Sequence, residues 1–200
     1  MLSRLHVPGA ELYYDPNFLS PGEANRYFNA LMQKCDWKRH RTSFGSPVPR
    51  DEAYYGDADA RYTYSRREYL PLPWLPELIA IKNRVQQVTP REAYSNLGLS
   101  NVGYNAVLCN LYRDGIDSVG IHADAEPEMG PVIASVSLGA ERLFRLKARD
   151  GKIVFAQGLA DGSLLIMAGS TQKDFKHEVP KEPRITQPRI NLTFRRIDHK

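Results

Sequence analysis

Two hundred residues are enough for one domain with a sizeable core, and 42% hydrophobic against 25% charged residues excludes a disordered or fibrous chain. No apolar run is long enough to cross a bilayer, and the opening Met-Leu-Ser-Arg-Leu-His-Val-Pro-Gly lacks the apolar stretch of a secretory signal, so an intracellular protein without a membrane partner is expected. The net charge of +4 is modest and its distribution says more than its total.

The first predicted helix covers about 20–34. Ser20 as N-cap, Pro21 at the first helical position and Glu23 three residues past the cap form a capping box. Ala24, Tyr27, Phe28, Leu31 and Met32 follow at the spacing of a buried stripe. A second helix is predicted from about Pro76 to Val88, with Leu78, Ile79 and Val85 inward and Thr89-Pro90 as its stop. Between the two helices, residues 40–73 are rich in proline, glycine and tyrosine and carry only short period-two pieces, as segments that cover sites do. From about Tyr104 the pattern changes to eight short β runs: 105–112, 118–124, 131–138, 142–147, 152–156, 162–168, 175–179 and 189–197. Asp-Gly pairs at 114–115, 150–151 and 161–162 punctuate them. The fold expected is mainly β with flanking helices, a double-sheet jelly roll over about 104–200 supported by a helical and loop-rich half over about 1–103, all in one domain.

Two stretches concentrate positive charge. Trp37 to Arg50 contains Lys38, Arg39, Arg41 and Arg50 with no carboxylate, and Arg142 to Lys152 contains Arg142, Arg145, Lys147, Arg149 and Lys152 against Asp150 alone. Such stretches can track a phosphate backbone, although scattered solvated side chains give the same pattern. The two cysteines, Cys35 and Cys109, are far apart and in no C-x-x-C arrangement. Neither a disulfide framework nor a zinc knuckle is indicated, and buried thiols are expected.

The chemistry concentrates late in the chain. In a strand, residues two apart point the same way, so His122 and Asp124 can grip one metal ion, and His177 would complete a set of two imidazoles and one carboxylate. That set occupies one face of an octahedron and leaves three positions open, which suits oxygen-activating ferrous iron better than a closed tetrahedral zinc site. In the run 188–195, Arg189, Asn191, Thr193 and Arg195 share one face while Ile190, Leu192 and Phe194 share the other. Two guanidiniums on one face suit bidentate capture of carboxylates; the competing view is a strand whose charged face lies in solvent.

Longer motifs carry a resemblance. Tyr55-Gly-Asp-Ala58 and Tyr62-Thr-Tyr-Ser65 come first, then the stretch from Asn110 through His122 and Asp124 to Glu126. Ile133 to Gly139, Gly162 to Met167, Thr171-Gln172, His177-x-Val-Pro-Lys181 and Pro188 to Arg195 follow in order. In this series the chain resembles the AlkB family of Fe(II)- and 2-oxoglutarate-dependent dioxygenases, its nucleic-acid-repair branch in particular, from about Pro49 to Ile197. The resemblance implies that His122, Asp124 and His177 are catalytic iron ligands. It implies that Arg189 pairs with the distal carboxylate of 2-oxoglutarate, helped by Tyr112 and Asn191, and that Arg195 and Asn110 hold the end that meets iron. For the substrate it implies a base stacked between Tyr64 and His122, with Tyr62 and Glu126 at its edge. Phe175 stands where many relatives carry tryptophan, and Phe44 lies about where a duplex wedge could sit, with core or lid packing as the favoured role for it.

The activity so implied is oxidative demethylation of N-alkylated bases, 1-methyladenine or 3-methylcytosine, in DNA or RNA. It consumes O2 and 2-oxoglutarate and releases formaldehyde and succinate. The base must be flipped out or already single-stranded, and the enzyme is expected to act as a monomer. Two other readings stay open at this point. One is a related hydroxylase acting on a protein or small molecule, and the other is a nucleic-acid-binding module without catalysis.

Overall fold

The structure, a computed structural model, describes residues 1–41, 45–64, 67–95 and 103–198, with Tyr64 and Arg67 traced by their backbone alone. In chain order the elements are β1 (Ser3–Leu5), β2 (Glu11–Asp15), α1 (Pro21–Lys34), β3 (Asp51–Gly56), β4 (Tyr62–Tyr64), β5 (Arg67–Tyr69), α2 (Pro76–Val88) and α3 (Glu92–Ser95). There follow β6 (Ala106–Tyr112), β7 (Val119–His122), β8 (Ile133–Gly139), β9 (Arg142–Ala148), β10 (Ile153–Leu159), β11 (Leu164–Ala168), α4 (Thr171–Asp174), β12 (Phe175–Val179) and β13 (Arg189–Arg195).

The eight strands β6 to β13 fall where the eight β runs predict them. They are dealt between two antiparallel sheets, with β11, β8, β13 and β6 adjacent in the larger and β10, β9, β12 and β7 making up the smaller. That order is a jelly roll, and the inner faces of the two sheets enclose an apolar layer that includes Leu12, Ile133, Phe144, Leu146, Leu165 and Met167. The N-terminal half contributes more strand than its sequence pattern suggests. β1 and β2 extend the large sheet beyond β11, and β3 extends it beyond β6, so the sheet has seven strands.

The outer face of the large sheet is covered by α1 and α2, and the layer between them holds Ala24, Leu31, Leu78, Val85, Ile190, Leu192 and Phe194. α1 begins as expected: the Ser20 side chain accepts from the Glu23 backbone N–H, and the Glu23 carboxylate accepts from the Ser20 N–H at 2.8 Å. In α2 the inward positions are Leu78, Ile81 and Val85. Ile79, expected inside, is 38% exposed. The three apolar side chains of β13 are fully buried, which stabilises the sheet by about 1.5–3 kcal/mol each.

Register across the large sheet sets the inner wall. Tyr112 of β6 lies opposite Arg189 of β13, Asn110 opposite Asn191, and Leu108 opposite Thr193. The same residues of β13 face Gly139, Ser137 and Ser135 of β8. Gly139 ends β8 with φ 85°, and a side chain there would meet the Pro188 carbonyl at 2.6 Å, so only glycine lets β8 close beside Arg189. Among the described residues no helix is long and apolar enough to cross a membrane.

Candidate metal centre and carboxylate pocket

His122 and His177 are directly opposed residues on the antiparallel strands β7 and β12, and their ring centroids lie 4.2 Å apart. Asp124 joins them. Ligand atoms of the three all lie within 4.8 Å of one another, the one such cluster among the described residues. Strand β7 stops at His122, two residues short of the alternation predicted for it. Asp124 is instead set by Gln172, whose side-chain oxygen accepts from the Asp124 N–H at 3.0 Å while its amide nitrogen rests on the Met167 sulfur.

The protonation states suit metal ligation. His122 Nδ1 lies 2.9 Å from the Gly120 carbonyl, a contact that calls for the proton on Nδ1 and leaves Nε2 as the free lone pair. Burial, aided by His122, pulls the His177 pKa down to about 3, so its imidazole is neutral. Burial pushes the Asp124 carboxyl up, but Arg195 and the two histidines outweigh it and keep the group below the usual carboxylate range. Arg195 Nη2 donates to Asp124 Oδ1 at 2.6 Å.

Behind this cluster a pocket opens between the sheets, lined by the inner face of β13. All of Arg189, Asn191, Thr193 and Arg195 are buried, which removes the solvated-face reading of that strand. Arg189 lies over the Tyr112 ring at 5.2 Å, and its Nη2 donates to Ser137 Oγ at 2.9 Å. Its Nε and Nη1 are buried without a partner. Burial lowers the Arg189 pKa. Unmet donors on a buried cation are costly, and an anion in the pocket would satisfy them. Asn191 donates to Ser135 Oγ at 2.7 Å, and Asn110 donates to Asn191 Oδ1 at 3.4 Å. Three open-sided metal ligands beside a buried guanidinium with two unpartnered nitrogens fit a ferrous ion and a dicarboxylate.

The residues expected at the substrate edge are arranged less simply. Tyr62 lines the pocket, but its hydroxyl accepts from Arg195 Nη1 at 2.9 Å and its ring stacks on Tyr69. Burial pushes its pKa up to about 12, so it stays a neutral phenol. Glu126 is half-buried with Oε2 unpartnered, and burial, followed by the nearby Asp124 charge, raises its pKa. The side chain of Tyr64 and the whole of Phe44 lie outside the described residues.

Both basic stretches divide into surface and interior. Arg142 is 1% exposed and donates to the carbonyls of Asp114, Asp117 and Pro180 and to Glu182, so it braces loops and touches no solvent phosphate. Arg145 and Lys147 both pair with Glu178. Arg149 and Lys152 are exposed near the β9–β10 turn, where Arg149 donates to the Lys173 carbonyl and Lys152 lies 3.6 Å from the Asp150 carboxylate. Arg50 is turned inward, where it pairs with Glu52 and donates to Asn110 Oδ1. Arg50, Glu52, Tyr69, Ser137 and Gln172 are the site residues that sequence reasoning missed. For Arg50 and Glu52 a signal was present, since Arg50, just before β3, and Glu52 and Tyr54 within it recur at every second residue.

Residues 11–195 match the 2OG-Fe(II) oxygenase superfamily. The chain is 40% identical over 198 residues to alpha-ketoglutarate-dependent dioxygenase alkB homolog 3 of Bos taurus, covering 91% of this chain and 64% of that protein. It is 39% identical over 192 residues to DNA oxidative demethylase ALKBH2 of Mus musculus, covering 88% of this chain and 75% of that one. The solved structure of OsALKBH1 has the same fold, with a TM-score of 0.68 at 17% identity and full coverage of both chains. The chain belongs to the AlkB family of Fe(II)- and 2-oxoglutarate-dependent dioxygenases. It spans just under two thirds of the length of the alkB homolog 3 relatives.

Proposed function

We propose that this protein oxidatively demethylates N-alkylated bases, 1-methyladenine and 3-methylcytosine, in DNA. The observation that carries the reading is the juxtaposition in one pocket of the His122, Asp124 and His177 cluster and the two unpartnered donors of Arg189. Similarity to ALKBH2, named a DNA oxidative demethylase, supports nucleic acid as the substrate class. RNA as a second substrate, a flipped or single-stranded base and a monomeric enzyme belong to the same reading.

His122 Nε2, a carboxylate oxygen of Asp124 and a ring nitrogen of His177 would hold the iron. With 2-oxoglutarate and O2 the metal supplies the oxidising power, and the products are succinate, carbon dioxide and, from the methyl group, formaldehyde. The chain's own residues bind and orient. Arg189, over Tyr112 and beside Ser137, would take the distal carboxylate, with Asn191 completing the wall. Asn110 and the free Nε of Arg195 would meet the other end. Arg195 also holds Asp124 in its ionised form. No side chain is needed as general base, because the oxidised methyl carbon leaves as formaldehyde with the restored base as leaving group.

A methyl at N1 of adenine or N3 of cytosine makes the base a cation. The unpartnered Glu126 oxygen would then favour the damaged base over the normal one by about 1–4 kcal/mol at ~4 Å. Arg149 and Lys152 are the remaining surface cations for a phosphate backbone near the β9–β10 turn. Measuring formaldehyde and succinate together tests the proposal. Equal release with a 1-methyladenine oligonucleotide supports it, whereas succinate release that the methylated base leaves unchanged would turn the reading to a hydroxylase of another substrate.

A further inference from the structure

Glu52 is a carboxylate in the pocket wall, 3% exposed, on the outermost strand of the large sheet. A charge so placed is costly unless its oxygens are satisfied, and Glu52 is held from two sides. Arg50 Nη2 lies 2.6 Å from Oε1, and the Tyr69 hydroxyl donates to Oε2 at 3.0 Å.

The first partner leads inward. Arg50 Nε donates to Asn110 Oδ1 at 2.8 Å. A guanidinium only donates, so it dictates that the oxygen end of the Asn110 amide faces it. The amide nitrogen must then turn the other way, toward Asn191 Oδ1, with its second N–H left for an acceptor in the pocket. The register explains why these groups meet: Glu52, Asn110 and Asn191 form one row across β3, β6 and β13.

The second partner leads outward. Tyr69 belongs to β5, which pairs with β4 as the hairpin over the pocket, and its ring stacks on Tyr62 with centroids 5.0 Å apart. Tyr62 is tied to Arg195. The hairpin is therefore fastened to the pocket at two points, one through Arg195 to Asp124 and the other through Glu52 and Arg50 to Asn110.

We propose that Glu52 and Arg50 are positioning residues for 2-oxoglutarate, presenting the Asn110 N–H to its carboxylate, and that Tyr69 couples order in the β4–β5 hairpin to co-substrate binding. The proposal rests on the reading of the pocket as the 2-oxoglutarate site. Coupling of this kind is reciprocal, so whatever the hairpin gains in order from bound 2-oxoglutarate is returned as affinity. Glu52→Gln keeps size and shape but removes the charge that holds Arg50, and the Asn110 amide is then free to flip. Tyr69→Phe keeps the ring on Tyr62 and the Arg50, Glu52 and Asn110 side chains, and removes the hydroxyl that donates to Glu52.

The test is calorimetric titration of 2-oxoglutarate into the anaerobic Mn(II)-loaded protein, beside hydrogen exchange of residues 62–69 with and without 2-oxoglutarate. Native protein, Glu52→Gln, Tyr69→Phe and Arg189→Ala are compared. Glu52→Gln is expected to weaken 2-oxoglutarate binding about 10-fold while Mn(II) binding, which also reports folding, is retained. Tyr69→Phe is expected to abolish the protection of 62–69 that 2-oxoglutarate confers on the native protein. If Arg189→Ala binds 2-oxoglutarate as the native protein does, the pocket reading itself fails. If Arg189→Ala is weakened while Glu52→Gln binds normally, the positioning role is overturned. Protection of 62–69 in Tyr69→Phe equal to that of the native protein overturns the coupling.

Discussion

His122 and His177 face each other across the β7–β12 ladder, with ring centroids 4.2 Å apart and planes tilted by 55°. Residues 55 apart in sequence thus become a ligand pair through strand register alone, and Asp124 needs only to be steered in beside them by Gln172. Strand register fixes the spacing of the pair, and preorganisation of that kind is what a metal site requires.

Metal binding should therefore stabilise the folded protein directly. Anaerobic Fe(II) at about 100 times its Kd is expected to add about 2.7 kcal/mol to the unfolding free energy. Melting with and without metal checks this. His177→Ala should melt at one temperature in both conditions, and a metal-dependent rise of native size in that variant would contradict the ligand assignment.

Arg189 carries the charge that would hold the distal carboxylate. Arg189→Met keeps an apolar filling beside Tyr112 but removes every donor. Loss of charged hydrogen bonds worth roughly 2–3 kcal/mol should raise the KM for 2-oxoglutarate about 30-fold or more. Arg189→Lys should recover little, because an ammonium cannot reproduce the planar fork. Steady-state kinetics with 2-oxoglutarate as the varied substrate would show it.

The interior and surface cations of 142–152 should separate by experiment. Arg142→Met strands three carbonyls and Glu182, and the expected loss is about 3–5 kcal/mol of stability in a urea melt. Lys152→Ala should leave the melt unchanged. If Lys152 contacts phosphate, its removal lowers the slope of log affinity against log salt for a single-stranded oligonucleotide by about 1.

Asp117 links pH to stability away from the metal centre. Burial pushes its carboxyl up, but the bidentate Arg113 side chain, the Arg113 N–H and the Arg39 charge outweigh burial and hold its pKa below the usual value. A depressed folded pKa means the stabilisation is complete above the unfolded value of about 3.9 and is lost as pH falls through the folded value. Asp117→Asn should therefore cost roughly 2 kcal/mol at neutral pH, and the gap in melting temperature from native should close below about pH 4. A gap that widened on acidification would contradict the assignment.

Much of this architecture was legible because strand alternation and capping are local. The alternation of β13 separates Arg189, Asn191, Thr193 and Arg195 from Ile190, Leu192 and Phe194, and Ser20, Pro21 and Glu23 mark the start of α1. What local pattern could not supply was partnership across the sheets. Arg142 reads as a surface cation because its acceptors at Pro180 and Glu182 lie far away in sequence, and Arg50 does so because its acceptor Asn110 does, although its ion-pair partner Glu52 is only two residues on. In α2, Ile79 and Ile81 are both apolar two residues apart, and only the placement of the helix on the sheet decides that Ile81 is inside. Nothing in the Y-x-Y pattern reveals that the Tyr62 hydroxyl accepts from Arg195 while its ring lines the pocket.

In the function proposed, the cluster of His122, Asp124 and His177 drives oxidation of a methyl group on a base. The most direct measurement is mass spectrometry of an oligonucleotide bearing one 1-methyladenine after aerobic incubation with Fe(II) and 2-oxoglutarate, for native protein and His177→Ala. Loss of one methyl group is expected with the native protein and none with the variant, and methyl loss by His177→Ala would overturn the role of the cluster.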